Sequence, residues 1–322
     1  MTRLLLAVLF GTFFAGAASG ADFSEQPAEL GGLHGTLTWP AGTATVPAAL
    51  ILAGSGPTDR DGNAPGMMND SLKMLARALA AHGIASLRVD KRGIGQSLAG
   101  RTDEASLRFS TYVDDARRWA RVLHAFARIR SVFLIGHSEG ALVATMAAQV
   151  EAPDGIILIA GAGRPASELL LRQLRAAGAT DTVLSEVKTA LDRLRDGKTV
   201  AVTSPALQPV FRASVQPYLM SWLPLDPVAE LRRVSAPVLV VQGTSDLQVS
   251  PDDARRLAAA RPGIETLTIA GMNHVLKKVP MDRADNIATY SDPNLPLAEG
   301  LVSGVAGFVA RHTSVTDRPA KN

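Results

Sequence analysis

A series of short apolar runs divides the chain: LHGTLTW (33–39), PAALILAG (47–54), IASLRVD (84–90), SVFLIG (131–136), GIILIAG (155–161), PVLVVQG (237–243) and IETLTIAG (264–271). Most are continuous. A strand with one wet face alternates apolar and polar residues, whereas a strand covered on both faces reads as an unbroken apolar run. Helical patterns lie between the runs. NDSLKMLARALAAHG opens at a cap candidate within Asn69 to Ser71 and closes at Gly83, and STYVDDARRWARVLHAFARI sets Tyr112, Ala116, Trp119, Leu123 and Phe126 at helical spacing. Strand and helix in alternation predict an α/β fold with a mostly parallel central sheet flanked by helices.

The alternation breaks between about 164 and 232. There ASELLLRQLRAAG, TDTVLSEVKTALDRLRDG and LQPVFRASVQPYLMSWLPLDPVAELRR read as helices with no buried strand among them. This segment is expected to be a helical cap inserted between two sheet strands, splitting the core into 22–163 and 233–322. No internal repeat is present, and no low-complexity tract beyond the first residues and the polar tail RHTSVTDRPAKN.

The first residues, MTRLLLAVLFGTFFAGAASGA, place Arg3 before an apolar stretch from Leu4 to Ala15 and then a run of small residues. This is the layout of a signal peptide over 1–21, with cleavage near Ala18 to Ala21. An uncleaved anchor is the competing reading, but the stretch is short for a membrane span. The mature protein is then exported, periplasmic or secreted, with no stable membrane anchor. The chain contains no cysteine, so disulfides and thiolate chemistry are excluded and stability must come from packing. With 322 residues, 47% of them hydrophobic, there is enough apolar material for a full-sized core. Loss of Arg3 with the signal would lower the formal charge from +3 by one, and the basic residues are dispersed instead of running beside aromatics. Nucleic acid is therefore not expected as a partner.

Within 131–148 the apolar run breaks into Gly-His-Ser-Glu-Gly and resumes as a small-residue helix pattern. A strand that turns at once into a helix strains the residue at the turn, and Gly136 and Gly140 on either side of Ser138 would relieve the crowding. Ser138 would then project its hydroxyl from the end of the sheet. The helix behind it would aim unpaired N–H groups at the spot where an oxyanion develops. An ordinary tight turn is the alternative, but the flanking strand and helix supply the context a nucleophile elbow requires.

A serine hydroxyl needs a base, and the base needs an orienting acid. Of the six histidines, His274 lies in IAGMNHVLKK, just past the last predicted strand, where it can reach Ser138. His137 should point away from the elbow. His34, His82, His124 and His312 sit on an early strand, in two helices and in the tail, where packing or surface roles are the simpler account. Asp246 in VVQGTSDLQVSP follows the preceding strand, so the chain order is Ser138, Asp246, His274. Asp252 and Asp253 follow Pro251 and read as acids of a helix start. The backbone N–H of Ser55, in LILAGSGPTDRDGN, is expected to join that of Glu139 in an oxyanion hole. Asp59, Arg60 and Asp61 are expected to hold this loop by local ion pairs and hydrogen bonds.

With these residues in place the chain resembles an α/β-hydrolase fold serine hydrolase. It is most similar to a secreted or periplasmic bacterial esterase-like branch whose members carry AGSGPxDRDG, DxRGxGxS and GHSEGG. Here the three motifs read AGSGPTDRDG from Ala53 to Gly62, DKRGIGQS from Asp90 to Ser97, and GHSEGA from Gly136 to Ala141. The resemblance runs from about 30 to 312 and implies hydrolysis of small-molecule carboxylic esters through an acyl-enzyme. Two departures are Ala53, where many relatives have histidine, and Ala141, where the branch has glycine. The cap matches in position only.

Phe211, Tyr218, Met220 and Trp222 in the cap are candidates for an apolar acyl pocket, with packing of the cap on the body as the alternative. An aminopeptidase-like or amidase activity could use the same triad, and a non-catalytic binder on the same scaffold is the reading of another class. SEVK (185–188) lacks the partner motifs of penicillin-binding enzymes, DRDGN departs from a calcium loop at Ala64, and GAGRP is too fragmentary for a dinucleotide fingerprint. No histidine cluster has metal spacing, so no metal and no cofactor is expected. Oligomeric state is not legible in the sequence.

Overall fold

The computed structural model describes residues 23–100, 103–202, 204–279 and 282–313, without the side chains of 99 and 100. The signal-peptide expectation, 1–21, lies outside the described residues. The strands are β1 (Phe23–Leu30), β2 (Leu33–Pro40), β3 (Val46–Leu52), β4 (Ala85–Val89), β5 (Ile129–His137), β6 (Gly155–Ile159), β7 (Val238–Gly243) and β8 (Ile264–Ile269). They form one sheet in the order β1-β2-β4-β3-β5-β6-β7-β8. β1 pairs antiparallel with β2 and β2 with β4; every later pairing is parallel. The seven apolar runs are all strands of this sheet. β1 is the addition, and with β8 it forms the edges.

The helices are α1 (Ser71–Ala81), α2 (Phe109–Ala125), α3 (Glu139–Glu151), α4 (Ala166–Ala176), α5 (Asp181–Arg195), α6 (Gln208–Phe211), α7 (Gln216–Trp222), α8 (Pro227–Arg232), α9 (Pro251–Ala258), α10 (Arg283–Ala288) and α11 (Leu301–His312). β5 shows why the strands read as unbroken apolar runs. Its Val132 and Leu134 join the core beneath α2 and α3, while Phe133 and Ile135 join the opposite core beneath α1 and α11. All four are fully buried, because successive side chains of a strand leave opposite faces of the sheet and here both faces are covered.

Helices α4 to α7 lie between β6 and β7 in sequence, as expected of a cap. They gather around a core of their own that includes Val187, Leu191, Leu194, Phe211, Leu219 and Leu223. Both ends of the expected cap segment, 164–232, pack on the body. Leu231 of α8 is buried in the body core beside α3, so α8 belongs to the body. At the other boundary Arg164 is buried against α9, its Nε donating to Asp253 at 2.7 Å and its Nη2 to Asp252 at 2.8 Å.

Candidate active site

β5 runs into α3 through Ser138, whose backbone sits at φ 55°, ψ −119°. This is a region a serine adopts only when its surroundings force it. The forcing is steric. A Cβ added to Gly136 would lie 2.1 Å from the Gly140 carbonyl oxygen, and one added to Gly140 would lie 2.3 Å from that of Leu52. Strand and helix thus cross so closely that only glycine fits on either side of the serine. Ser138 N–H donates to the Ile159 carbonyl at 2.9 Å, tying the turn to the end of β6.

Asp246 follows β7 and His274 follows β8. The structure brings them together: His274 Nδ1–H donates to Asp246 Oδ2 at 2.9 Å, and both side chains are buried. Asp246 Oδ1 also accepts from the N–H groups of Gln248 at 2.8 Å and Val249 at 2.9 Å. Burial alone would raise the Asp246 pKa, but the charge and hydrogen bond of His274 and these backbone donors outweigh it and hold the carboxyl below its usual range. With Nδ1 donating, His274 Nε2 is left as an acceptor. The Ser138 hydroxyl makes no hydrogen bond among the described residues.

His137 was expected to point away from the elbow; its ring packs against the histidine loop. Its Nε2–H donates to the His274 carbonyl at 2.8 Å, and the two rings pack with centroids 4.9 Å apart. Burial, then the neighbouring His274, push its pKa down to about 4. The residue before the serine therefore supports the backbone of the histidine loop as a neutral ring. Adjacency to Ser138 was its only sequence signal, and that adjacency does not reveal the carbonyl it meets.

The Ser55 and Glu139 N–H groups have no acceptor among the described residues. They belong to segments in contact at the serine: a Cβ on Gly54 would lie 3.2 Å from Ser138 Cβ, and Glu139 opens α3 immediately after it. The DRDG loop departs from the expectation of purely local bonds. Asp59 Oδ1 does accept from the N–H groups of Asp61 and Asn63, each at 2.9 Å. Arg60 instead reaches Asp90, with Nε at 3.0 Å and Nη2 at 2.6 Å from Oδ2 and its own N–H at 2.8 Å from Oδ1. The first two motifs are thereby locked to each other, since one carboxylate oxygen accepts two guanidinium donors and the other the backbone N–H of the same residue.

Among the four pocket candidates, Phe211 is 2% exposed, inside the cap's own core. Apolar packing within the cap took it, and Met220 packs against the same core. Tyr218 packs against the body, and Trp222 against both the body and the cap core. Tyr218 lies 5.4 Å from Tyr112 and Trp222 5.9 Å from Phe109, centroid to centroid, both partners being on α2. Among the described residues no group of three or more His, Asp or Glu is arranged to hold a metal ion, and no helix is long and apolar enough to cross a membrane.

Residues 65–289 match the model of the alpha/beta hydrolase family. A sequence relative is the esterase EstD of Thermotoga maritima, 27% identical over 262 residues that cover 79% of this chain and 60% of that protein. The chain therefore spans less than two thirds of that relative's length. Among solved structures, a hypothetical protein of Pseudomonas aeruginosa superposes with a TM-score of 0.60 at 14% identity, over 95% of this chain and 99% of that one. Est1E of Butyrivibrio proteoclasticus, solved with ferulic acid bound, gives 0.55 at 14% identity over 89% and 96%. At such identities these two likenesses speak for the fold.

Proposed function

Because the chain belongs to the alpha/beta hydrolase family, we propose that it is a serine hydrolase of carboxylic esters. Ser138 Oγ attacks the ester carbonyl while His274 Nε2 takes its proton, and the carbonyl oxygen becomes an oxyanion received by the N–H groups of Ser55 and Glu139. Collapse of this intermediate breaks the bond to the alkoxide, which leaves as alcohol with the proton from His274. Water then repeats the sequence on the acyl-enzyme, releasing the carboxylic acid and restoring Ser138. Asp246 keeps the imidazole in the tautomer that can accept at Nε2 and stabilises the imidazolium.

The observation that carries this reading is the buried Asp246–His274 hydrogen bond of 2.9 Å, on a loop whose His274 carbonyl accepts from His137, the residue before the strained serine. An esterase among the sequence relatives favours esters over amides, as does the easier departure of an alcohol. The N-terminal segment supports export after cleavage near Ala18 to Ala21.

The test is hydrolysis of p-nitrophenyl esters from acetate to decanoate by the mature protein beside Ser138→Ala and His274→Ala. We expect turnover at some chain length and a fall in kcat of at least about 10³-fold in each variant. Turnover of aminoacyl amides alone, or activity surviving in Ser138→Ala, would overturn the proposal.

A further inference from the structure

Lys91 follows Asp90 in the second motif and reaches under the loop that carries Ser55. Its ammonium donates to the Gly54 carbonyl at 2.5 Å and to the Gly56 carbonyl at 2.8 Å. The same Nζ lies 4.0 Å from the Glu139 carboxylate, and the two side chains are 12% and 4% exposed. It also stands 5.7 Å from the centre of the Tyr112 ring. The Tyr218 hydroxyl of α7 is buried beside Glu139 without a hydrogen bond of normal geometry. Burial pushes the ammonium pKa down and the Glu139 pKa up, and each ion opposes the shift of the other. A buried cation is costly unless it is paired and bonded, so this one needs both its carbonyls and its carboxylate.

The two carbonyls are not equivalent in consequence. A peptide unit is planar and trans, so the Gly54 C=O and the Ser55 N–H are the two ends of one rigid plate and point in opposite directions. Whatever fixes the carbonyl fixes the N–H. This plate joins Gly54, which has no side chain, to Ser55, which is exposed and whose carbonyl accepts from Thr58 Oγ1 at 2.8 Å, and Gly56 follows at φ +68°. A cation on the carbonyl also withdraws electron density through the amide and strengthens the N–H as a donor.

We propose that Lys91 is a positioning residue: it clamps the Gly54–Ser55 peptide so that the Ser55 N–H faces the oxyanion formed at Ser138. The clamp rests on the reading of Ser138 as nucleophile and of Ser55 as oxyanion donor. It acts where charge develops, so its loss falls on kcat and leaves substrate binding nearly untouched.

The experiment compares wild type, Lys91→Met and Lys91→Arg in p-nitrophenyl ester turnover and in the rate at which a fluorophosphonate labels Ser138, with the melting temperature measured alongside. Labelling requires no natural substrate, and its phosphoryl oxygen occupies the same hole. We expect Lys91→Met, folded, to lose about 10- to 100-fold in both kcat and labelling rate, somewhat less than removal of an oxyanion donor outright, with KM changed less than about threefold. Lys91→Arg, which keeps donors, should recover part of both. A folded Lys91→Met within about threefold of wild type in both rates overturns the clamp and leaves the esterase reading standing. If that variant does not fold, Lys91→Gln is held to the same criterion. A wild type that labels but cleaves no ester overturns the ester reading, and the labelling ratio alone then decides the clamp. A wild type that does not label overturns both.

Discussion

The proton on His137 links the stability of the site to pH. The His274 carbonyl can only accept, so the folded ring carries its proton on Nε2, and a second proton is resisted until about pH 4. The unfolded chain takes that proton near pH 6.5. The unfolded state therefore binds more protons between these values, so the stability His137 contributes is whole above about pH 6.5 and is lost as pH falls toward 4. We expect the melting temperature of the wild type to fall across this window and that of His137→Gln, lower at neutral pH, to fall less steeply. Parallel slopes in a pH series of thermal scans would show that the ring does not titrate as described. At this scale Asp246 and His274 were legible because each stands just past a predicted strand on the carboxyl side of the sheet. His137 and Lys91 were not, because the carbonyls they meet are 137 and up to 37 residues away, and a backbone carbonyl leaves no mark in a sequence.

Among the elements, β1 was the one strand the apolar runs did not announce. FSEQPAEL contains two glutamates and a proline, and along it half-buried and exposed positions mostly alternate, so it lacks the unbroken apolar run of its neighbours. Its place depends on pairing with β2 and on Glu25. That carboxylate accepts from Arg77 Nη2 at 2.6 Å and from Arg88 Nη2 at 3.0 Å, and the Arg88 side chain is 2% exposed. The two guanidinium groups overcome the effect of burial and hold the Glu25 pKa below its usual value. Without Glu25, Arg88 retains Asp61 at 3.4 Å and, through Nη1, the Lys73 carbonyl at 3.3 Å. Glu25→Ala should therefore destabilise the protein by about 1–3 kcal/mol, the cost of stranding a buried charged donor, measurable as a lower urea midpoint. A midpoint within error of wild type would mean that Asp61 or water suffices.

In the whole molecule, two cores sandwich the sheet and a third sits in the cap, and this division was legible because both depend on patterns the chain displays openly: unbroken runs for the sheet, helix periodicity without strands for the cap. Where the cap ends was not legible, since α8 is as helical as its neighbours and only its packing on α3 assigns it to the body. The cap is unevenly secured. α4 has no fully buried residue, whereas most of α3 is buried between sheet and helices. Segments with little buried apolar surface open at lower free energy, so hydrogen exchange should be markedly faster along α4 than along α3. Equal protection in the two helices would mean that the cap opens only with the body. The borders of the sheet carry a different consequence. Pro27 interrupts the donors of β1, while at the other border Glu265 of β8 is engaged by Arg311 and His312. A strand from another molecule arriving at either margin meets a missing donor or a knot of charge in place of an open ladder, and so the same sheet that presents the serine resists growing into a fibre.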